Sequence, residues 1–169
     1  MSGYASPLFL DSTVVSNFAS SDSLPFFPQL RESTVVTPAV REEITQGFQL
    51  EYEYLESAVD AFEDTLPVRS VPQDELLAEL RERLDIGEAE SLRGAIEHGG
   101  TIATDDLAAR RVAEGRNQAV IGSVGLLVLG IRRDYIDQKT ADRWLDIWRN
   151  ERDYYAPVDS VGDVLDTGE

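Results

Sequence analysis

Cysteine is absent from the 169 residues, and lysine occurs once, at Lys139. Without cysteine there is neither a disulfide framework nor a thiolate metal site. The single histidine, His98, stands before Gly99-Gly100 and reads as a helix-end residue, so histidine-based nucleophilic catalysis has little to draw on. No run of eighteen apolar residues exists. The longest apolar region, Ala119 to Ile131, is broken by glycines and ends at Arg132-Arg133, too short for a membrane span. The opening Met1-Ser2-Gly3-Tyr4 lacks the charged start of a secretory signal, and a cytoplasmic protein is expected.

Basic charge is also scarce. Acidic residues number 32 against 15 basic ones, for a formal net charge of −17, and every basic residue except Lys139 is arginine. An acidic surface almost free of lysine looks like adaptation to molar salt, as in a haloarchaeal protein. Salt at 1 M screens self-repulsion to within about 3 Å, so the charge costs little there. In dilute buffer the same charge argues against a nucleic-acid substrate, which favours a basic patch. In molar salt that argument fails, because the long-range field is screened while individual arginines still reach phosphates.

What is present is enough apolar residues, 42%, for a core in one domain. Pro7-Leu8-Phe9-Leu10 reads as a short buried strand ending at Asp11, followed by a helix over Ser12–Ser20. Leu24 to Leu30 is an aromatic helical turn interrupted by Pro25 and Pro28. Thr34 to Thr37 is a β-branched second strand, and Pro38 opens a helix carrying Val40, Glu43 and Ile44. Gln49 to Phe62 reads as one acidic helix, and Val68 to Val71 as a short edge strand. Leu76, Leu77, Leu80 and Leu84 set a helical period over 73–84. Asp85-Ile86-Gly87 reads as a break before a helix from Glu88 to about Glu97, stopped by Gly99-Gly100. Thr101 to Thr104 is a third strand, then Asp105-Asp106 and a helix to Glu114. Ala119-Val120-Ile121 is a fourth, followed by Gly122-Ser123 and an apolar helix. A last helix spans about Gln138 to Tyr154, with Trp144, Ile147 and Trp148 on one core face. The domain is expected over 1–156 and a mobile acidic tail over 157–169.

Strands alternating with helices predict an α/β domain with a parallel sheet of about four to five short strands flanked by helices. Ligands of such sheets bind beyond the carboxyl ends of the strands, where Asp11 and Asp105-Asp106 fall. Magnesium and manganese take hard oxygen ligands, and a two-metal nuclease holds its ions about 3.5–4 Å apart between carboxylates from separate segments. Each acid also has a plainer role open to it. Asp11 and Asp105 or Asp106 are at helix-capping positions, Glu88 complements a helix dipole, and Glu43 sits beside Glu42 on a solvated face. Gly122-x-x-Gly125 lacks the lysine of a phosphate-binding P-loop.

The order of the motifs carries more than any one of them. Leu8-Phe9-Leu10-Asp11-Ser12-Thr13 resembles the opening strand of PIN domains. Thr37-Pro38-Ala39-Val40-Arg41-Glu42-Glu43-Ile44 resembles their second element, and alignment of the proline and valine puts its acidic ligand at Glu43. Gly87-Glu88-Ala89-Glu90-Ser91-Leu92 resembles the Gly-Glu-Ala-Glu motif of one PIN-like branch. Thr104-Asp105-Asp106 with Ala109-Arg110-Arg111-Val112-Ala113, and Ile121-Gly122-Ser123-Val124-Gly125, resemble later segments of that branch. The resemblance covers about residues 7 to 135 and is to VapC-like toxin nucleases. It implies a Mg2+- or Mn2+-dependent ribonuclease, an RNA substrate, a small antitoxin partner and a homodimer. It further implies Asp11, Glu43, Glu88 and Asp106 as catalytic metal ligands, with Asp105 as an alternative ligand or a cap. Thr13, Ser123, Arg110 and Arg111 are the implied substrate contacts. Phe26-Phe27 is expected either at the dimer surface or in the core. The alternative function is a PIN-like module that binds RNA or protein without cleaving it.

Overall fold

The computed structural model describes residues 4–166. Its centre is a four-stranded, all-parallel sheet in the order β2-β1-β3-β4, from β1 (Leu8–Leu10), β2 (Thr34–Val35), β3 (Thr101–Ala103) and β4 (Ala119–Ile121). A parallel bridge between Val36 and Val68 is all that forms of the expected strand over Val68–Val71. Pro67 and Pro72 flank that segment and limit its ladder.

Side-chain alternation along these short strands builds a core on each face. Leu8 and Leu10 of β1 join Ala103 and Ile121 in one buried cluster, whereas Phe9 joins Val35 and Ile102 in the other. The first cluster is closed by α1 (Ser12–Ser20), α2 (Pro38–Gln49), α3 (Glu56–Ala61), α7 (Ser123–Arg132) and α8 (Gln138–Arg152). The second is closed by α4 (Glu75–Arg81), α5 (Ile86–His98) and α6 (Leu107–Gly115). Phe26 and Phe27 lie in a 3-10 turn over Leu24–Gln29 and pack on Phe18, each 1% exposed. They are core residues and offer no dimer surface. Trp148 is fully buried, as the spacing of the last helix implies.

Three boundaries differ from the sequence reading. The acidic helix expected over 49–62 is interrupted: α2 ends at Gln49, Glu51 adopts a positive φ of 76°, and a 3-10 turn over Glu53–Leu55 leads into α3. Gly47 permits this, because a Cβ there would stand 2.7 Å from the Leu55 side chain. Asp85-Ile86-Gly87 starts a helix instead of breaking one: Asp85 is the N-cap of α5. Residues 161–166 of the acidic end form a short helix, α9 (Val161–Asp166), with Val161 buried in the first cluster. Among the described residues no helix is long and apolar enough to cross a membrane.

Candidate functional site

The chain enters β2 on one side of β1 and β3 on the other, so the carboxyl ends of β1 and β3 form the switch point where parallel sheets leave a crevice. Asp11 leaves β1 there. Its backbone N–H donates to the Ala103 carbonyl at 2.9 Å, one carboxylate oxygen accepts from the Ser12 N–H at 2.8 Å, and the other accepts from the Thr104 hydroxyl at 2.8 Å. The side chain is 2% exposed. Burial pushes its pKa up to about 7, against the pull of the Thr104 and Ser12 hydrogen bonds, and the charges of Asp85 and Glu43 add to the rise.

Three helix amino termini meet around Asp11. Asp11 caps α1, Asp85 caps α5 and Asp106 caps α6, and their positive dipole ends offset part of the crowding of negative charge. Glu88 closes a capping box with Asp85: the Glu88 N–H donates to Asp85 at 2.8 Å, and the Asp85 N–H donates to Glu88 Oε1 at 3.2 Å. The Glu88 carboxyl is also pushed up to about 7, first by burial, then by Asp85, Asp11 and Asp106. Asp106 accepts from the Ala109 N–H at 2.8 Å, while its own N–H donates to Thr104 Oγ1 at 3.1 Å. Glu43 reaches in from α2 and accepts the Ser12 hydroxyl at 2.8 Å. A Cβ on Gly87 would stand 3.1 Å from Glu43 Oε1, so the glycine leaves room for this carboxylate over the start of α5.

Asp105 points away from this group. It accepts from the Ser123 N–H at 2.8 Å, the Ser123 hydroxyl at 2.5 Å and the Tyr154 hydroxyl at 3.2 Å. Burial and the Asp105 charge raise the Tyr154 pKa, keeping that hydroxyl a donor. Gly122 lets the turn before α7 come close, since a Cβ there would lie 2.9 Å from Asp105 Oδ1 and 2.8 Å from Arg110 Nη1. Ser123 is fully buried against Asp105 and Asn17. Arg110 donates to the Thr104 carbonyl at 3.2 Å, Arg111 is exposed, and Thr13 lines a groove beside the cluster.

The structure thus brings Asp11, Glu43, Glu88 and Asp106 to one crevice and turns Asp105 toward α7 and α8. Sequence reasoning missed Asp85, although its spacing three residues before Glu88 is the signature of a capping box. It also missed Glu90, which is 5% exposed and accepts the Ala39 N–H at 3.0 Å, tying α5 to the start of the helix that carries Glu43. Glu90 belongs to the Gly-Glu-Ala-Glu segment, and its burial beside a helix N-terminus explains a second acid there. As the side chains stand, no three acids or histidines among the described residues are close enough together to hold a metal ion. Several of their oxygens are instead engaged in capping.

A family model described as a PIN domain matches residues 8–168. The chain belongs to the PIN-domain family. Members of this family are commonly metal-dependent nucleases. No curated protein matches the chain. The donor set of this PIN domain suits a hard divalent cation. It consists of carboxylate oxygens from separate segments, with two of the acids, Asp11 and Glu88, pushed toward neutrality by burial and by neighbouring carboxylates.

Proposed function

We propose that this PIN domain is a Mg2+- or Mn2+-dependent endoribonuclease acting as the toxin of a toxin–antitoxin pair in a salt-adapted cell. The observation that carries this reading is the meeting of Asp11, Glu43, Glu88 and Asp106 at the switch point of the sheet, with the Asp11 and Glu88 carboxyls raised to about 7. Those four side chains would hold the metal after leaving the present arrangement, in which no three acids among the described residues are close enough for one ion. When bound, it neutralises charge on the phosphodiester and activates a water for hydrolysis. Asp11 supplies a carboxylate fixed by Thr104 and Ser12. Glu43 is aimed by the Ser12 hydroxyl, and Glu88 would have to leave its capping bond to Asp85 to serve as a ligand. Asp105 keeps Ser123 and Tyr154 in place behind the site, Thr13 lines the groove beside it, and Arg110 and exposed Arg111 are the substrate contacts this reading expects. A small antitoxin and a second copy of the chain are the partners this reading expects.

RNA cleavage with added Mn2+ or Mg2+ tests it. The unaltered protein cleaves, Asp11→Asn does not, and Glu42→Gln behaves as the parent, because exposed Glu42 accepts a hydrogen bond from Gln46 of its own helix and takes no part in the cluster. Equal cleavage by Asp11→Asn and Glu42→Gln would sink the carboxylate site. The side-chain arrangement, which among the described residues brings no three acids within reach of one ion, favours a second reading, a non-catalytic binding module. RNA binding without cleavage by the parent at any divalent ion concentration would select it.

A further inference from the structure

A groove of about 620 Å3 opens beside the carboxylate cluster, between α1, the turn after α2 and the end of α8. Ser12 and Glu43 form its inner end, so it is continuous with the crevice. The volume lies in the range of about 300–1,000 Å3 typical of small-molecule sites, ample for a nucleotide. Two tyrosines from the interrupted segment face it. Tyr52 is 55% exposed, and its ring centroid lies 6.2 Å from that of Tyr54 at an angle of 59°.

Arg152 closes the far side. Its Nε donates to Asn17 Oδ1 at 2.8 Å, its Nη1 donates to the Tyr54 hydroxyl at 2.7 Å, and its guanidinium carbon lies 5.9 Å from the Tyr54 ring centroid. Asn17 is fully buried, and its amide nitrogen is committed to Ser123, which fixes the oxygen toward the arginine. Carboxylates line the groove at Glu43, Glu151 and Asp153, yet Arg152 forms no ion pair with any acid among the described residues. A guanidinium held rigidly by two neutral acceptors keeps its full charge for an incoming anion. In a chain of net charge −17, that is an uncommon placement for a cation.

An anion site flanked by an exposed aromatic face matches one ligand chemistry, a nucleotide with its base unstacked from its neighbours. Stacking tolerates strong salt better than phosphate contacts do, which suits an acidic protein whose electrostatics are screened. Resting on the ribonuclease reading above, we propose that this groove binds the unpaired nucleotide next to the scissile phosphodiester. Tyr52 stacks on its base, and Arg152 grips its phosphate.

The test uses the full chain carrying Asp11→Asn, which blocks cleavage, and a short fluorescein-labelled oligouridylate read by anisotropy across a salt series. Adding Tyr52→Ala weakens binding roughly five- to a hundred-fold, as loss of one base–aromatic stack should, and Tyr52→Phe restores it. Arg152→Gln weakens binding and flattens the slope of log affinity against log salt by about 0.7, the signature of one lost phosphate contact on a single strand. Should Arg152→Gln fail to fold, Arg152→Lys, which keeps the charge but loses the fixed guanidinium donors, must weaken binding while keeping the slope. No binding at all, or binding indifferent to Tyr52→Ala and to every folded Arg152 variant, overturns the subsite. Cleavage by the unaltered chain judges the catalytic reading separately. RNA cleaved while both positions are inert removes only the subsite, and binding that depends on both without cleavage removes only the catalysis.

Discussion

Asp11 caps a helix and also bears the strain of the carboxylate cluster. Its raised pKa means that the ionised form is disfavoured in the folded chain. The stability it contributes is fully present below its ordinary value of 3.8 and is lost as the pH rises through about 7. Asparagine keeps the shape and the capping bond from Ser12 without the charge. In chelator at pH 8, Asp11→Asn should therefore be more stable than the parent, by up to about 4 kcal/mol, with the difference vanishing toward pH 4. Chemical denaturation at the two pH values measures it, and a less stable variant at pH 8 would remove the electrostatic account. Glu32 shows the opposite sign. Both its oxygens accept from Arg133, at 2.7 and 2.8 Å, and this pairing holds its pKa down to about 2. The stability from Glu32 is present above its ordinary 4.5 and lost as the pH falls toward 2. Each side chain of the pair is only 6% exposed, so Glu32→Gln strands a buried guanidinium and should cost about 3 kcal/mol near neutrality. The cost should shrink below pH 3, and a cost that does not change with pH would refute the assignment.

At the level of elements, the site depends on how closely α5 approaches β1. Gly94 makes that approach possible, because a Cβ there would stand 2.4 Å from the ring of fully buried Phe9. Phe9 also stacks on His98 at 5.9 Å, so its ring has little freedom to retreat. Gly94→Ala should cost about 1–3 kcal/mol by overpacking. It should also weaken metal-induced stabilisation, since α5 carries Glu88. Gly115, with nothing within 4 Å of its would-be Cβ, is the control, and alanine there should be neutral or slightly stabilising. Urea midpoints of the two variants decide the matter, and equal midpoints would show that α5 can shift freely.

For the whole molecule, two charge effects act on different length scales. If the proposed site binds a divalent ion, protons compete with it for Asp11 and Glu88, so Mg2+ or Mn2+ should raise the melting temperature more at pH 8 than at pH 5. An equal rise at both values would count against binding by these acids. Over the surface, the net charge of −17 with one lysine predicts folding retained in molar potassium chloride and weakened in dilute buffer. Equal unfolding midpoints at the two ionic strengths would dismiss salt adaptation.

Legible in the sequence were the features governed by short-range free energies. β-branched and apolar runs mark the four strands, Leu76, Leu77 and Leu80 mark the face of α4, which ends at Arg81 before Leu84, and Asp11 marks the end of β1. The parallel sheet follows from their alternation with helices, because a crossover that returns to the same sheet orders the strands in parallel. Asp85 was within reach by its capping-box spacing, though Gly87 two residues on reads locally as a break. Tertiary structure alone decided the rest. Asp105 and Asp106 are adjacent in sequence and chemically alike, yet the turn after β3 sends one to Ser123 and Tyr154 and the other to the crevice with Glu88. Phe26 and Phe27 have the composition of an interface and are buried because Phe18 and the last helices close over them. Arg152 meets Asn17 across 135 residues of sequence, a pairing that no local pattern encodes. Periodicity reports which face of an element avoids water, but which polar groups then face one another depends on strand order and helix approach, set only when the whole chain packs.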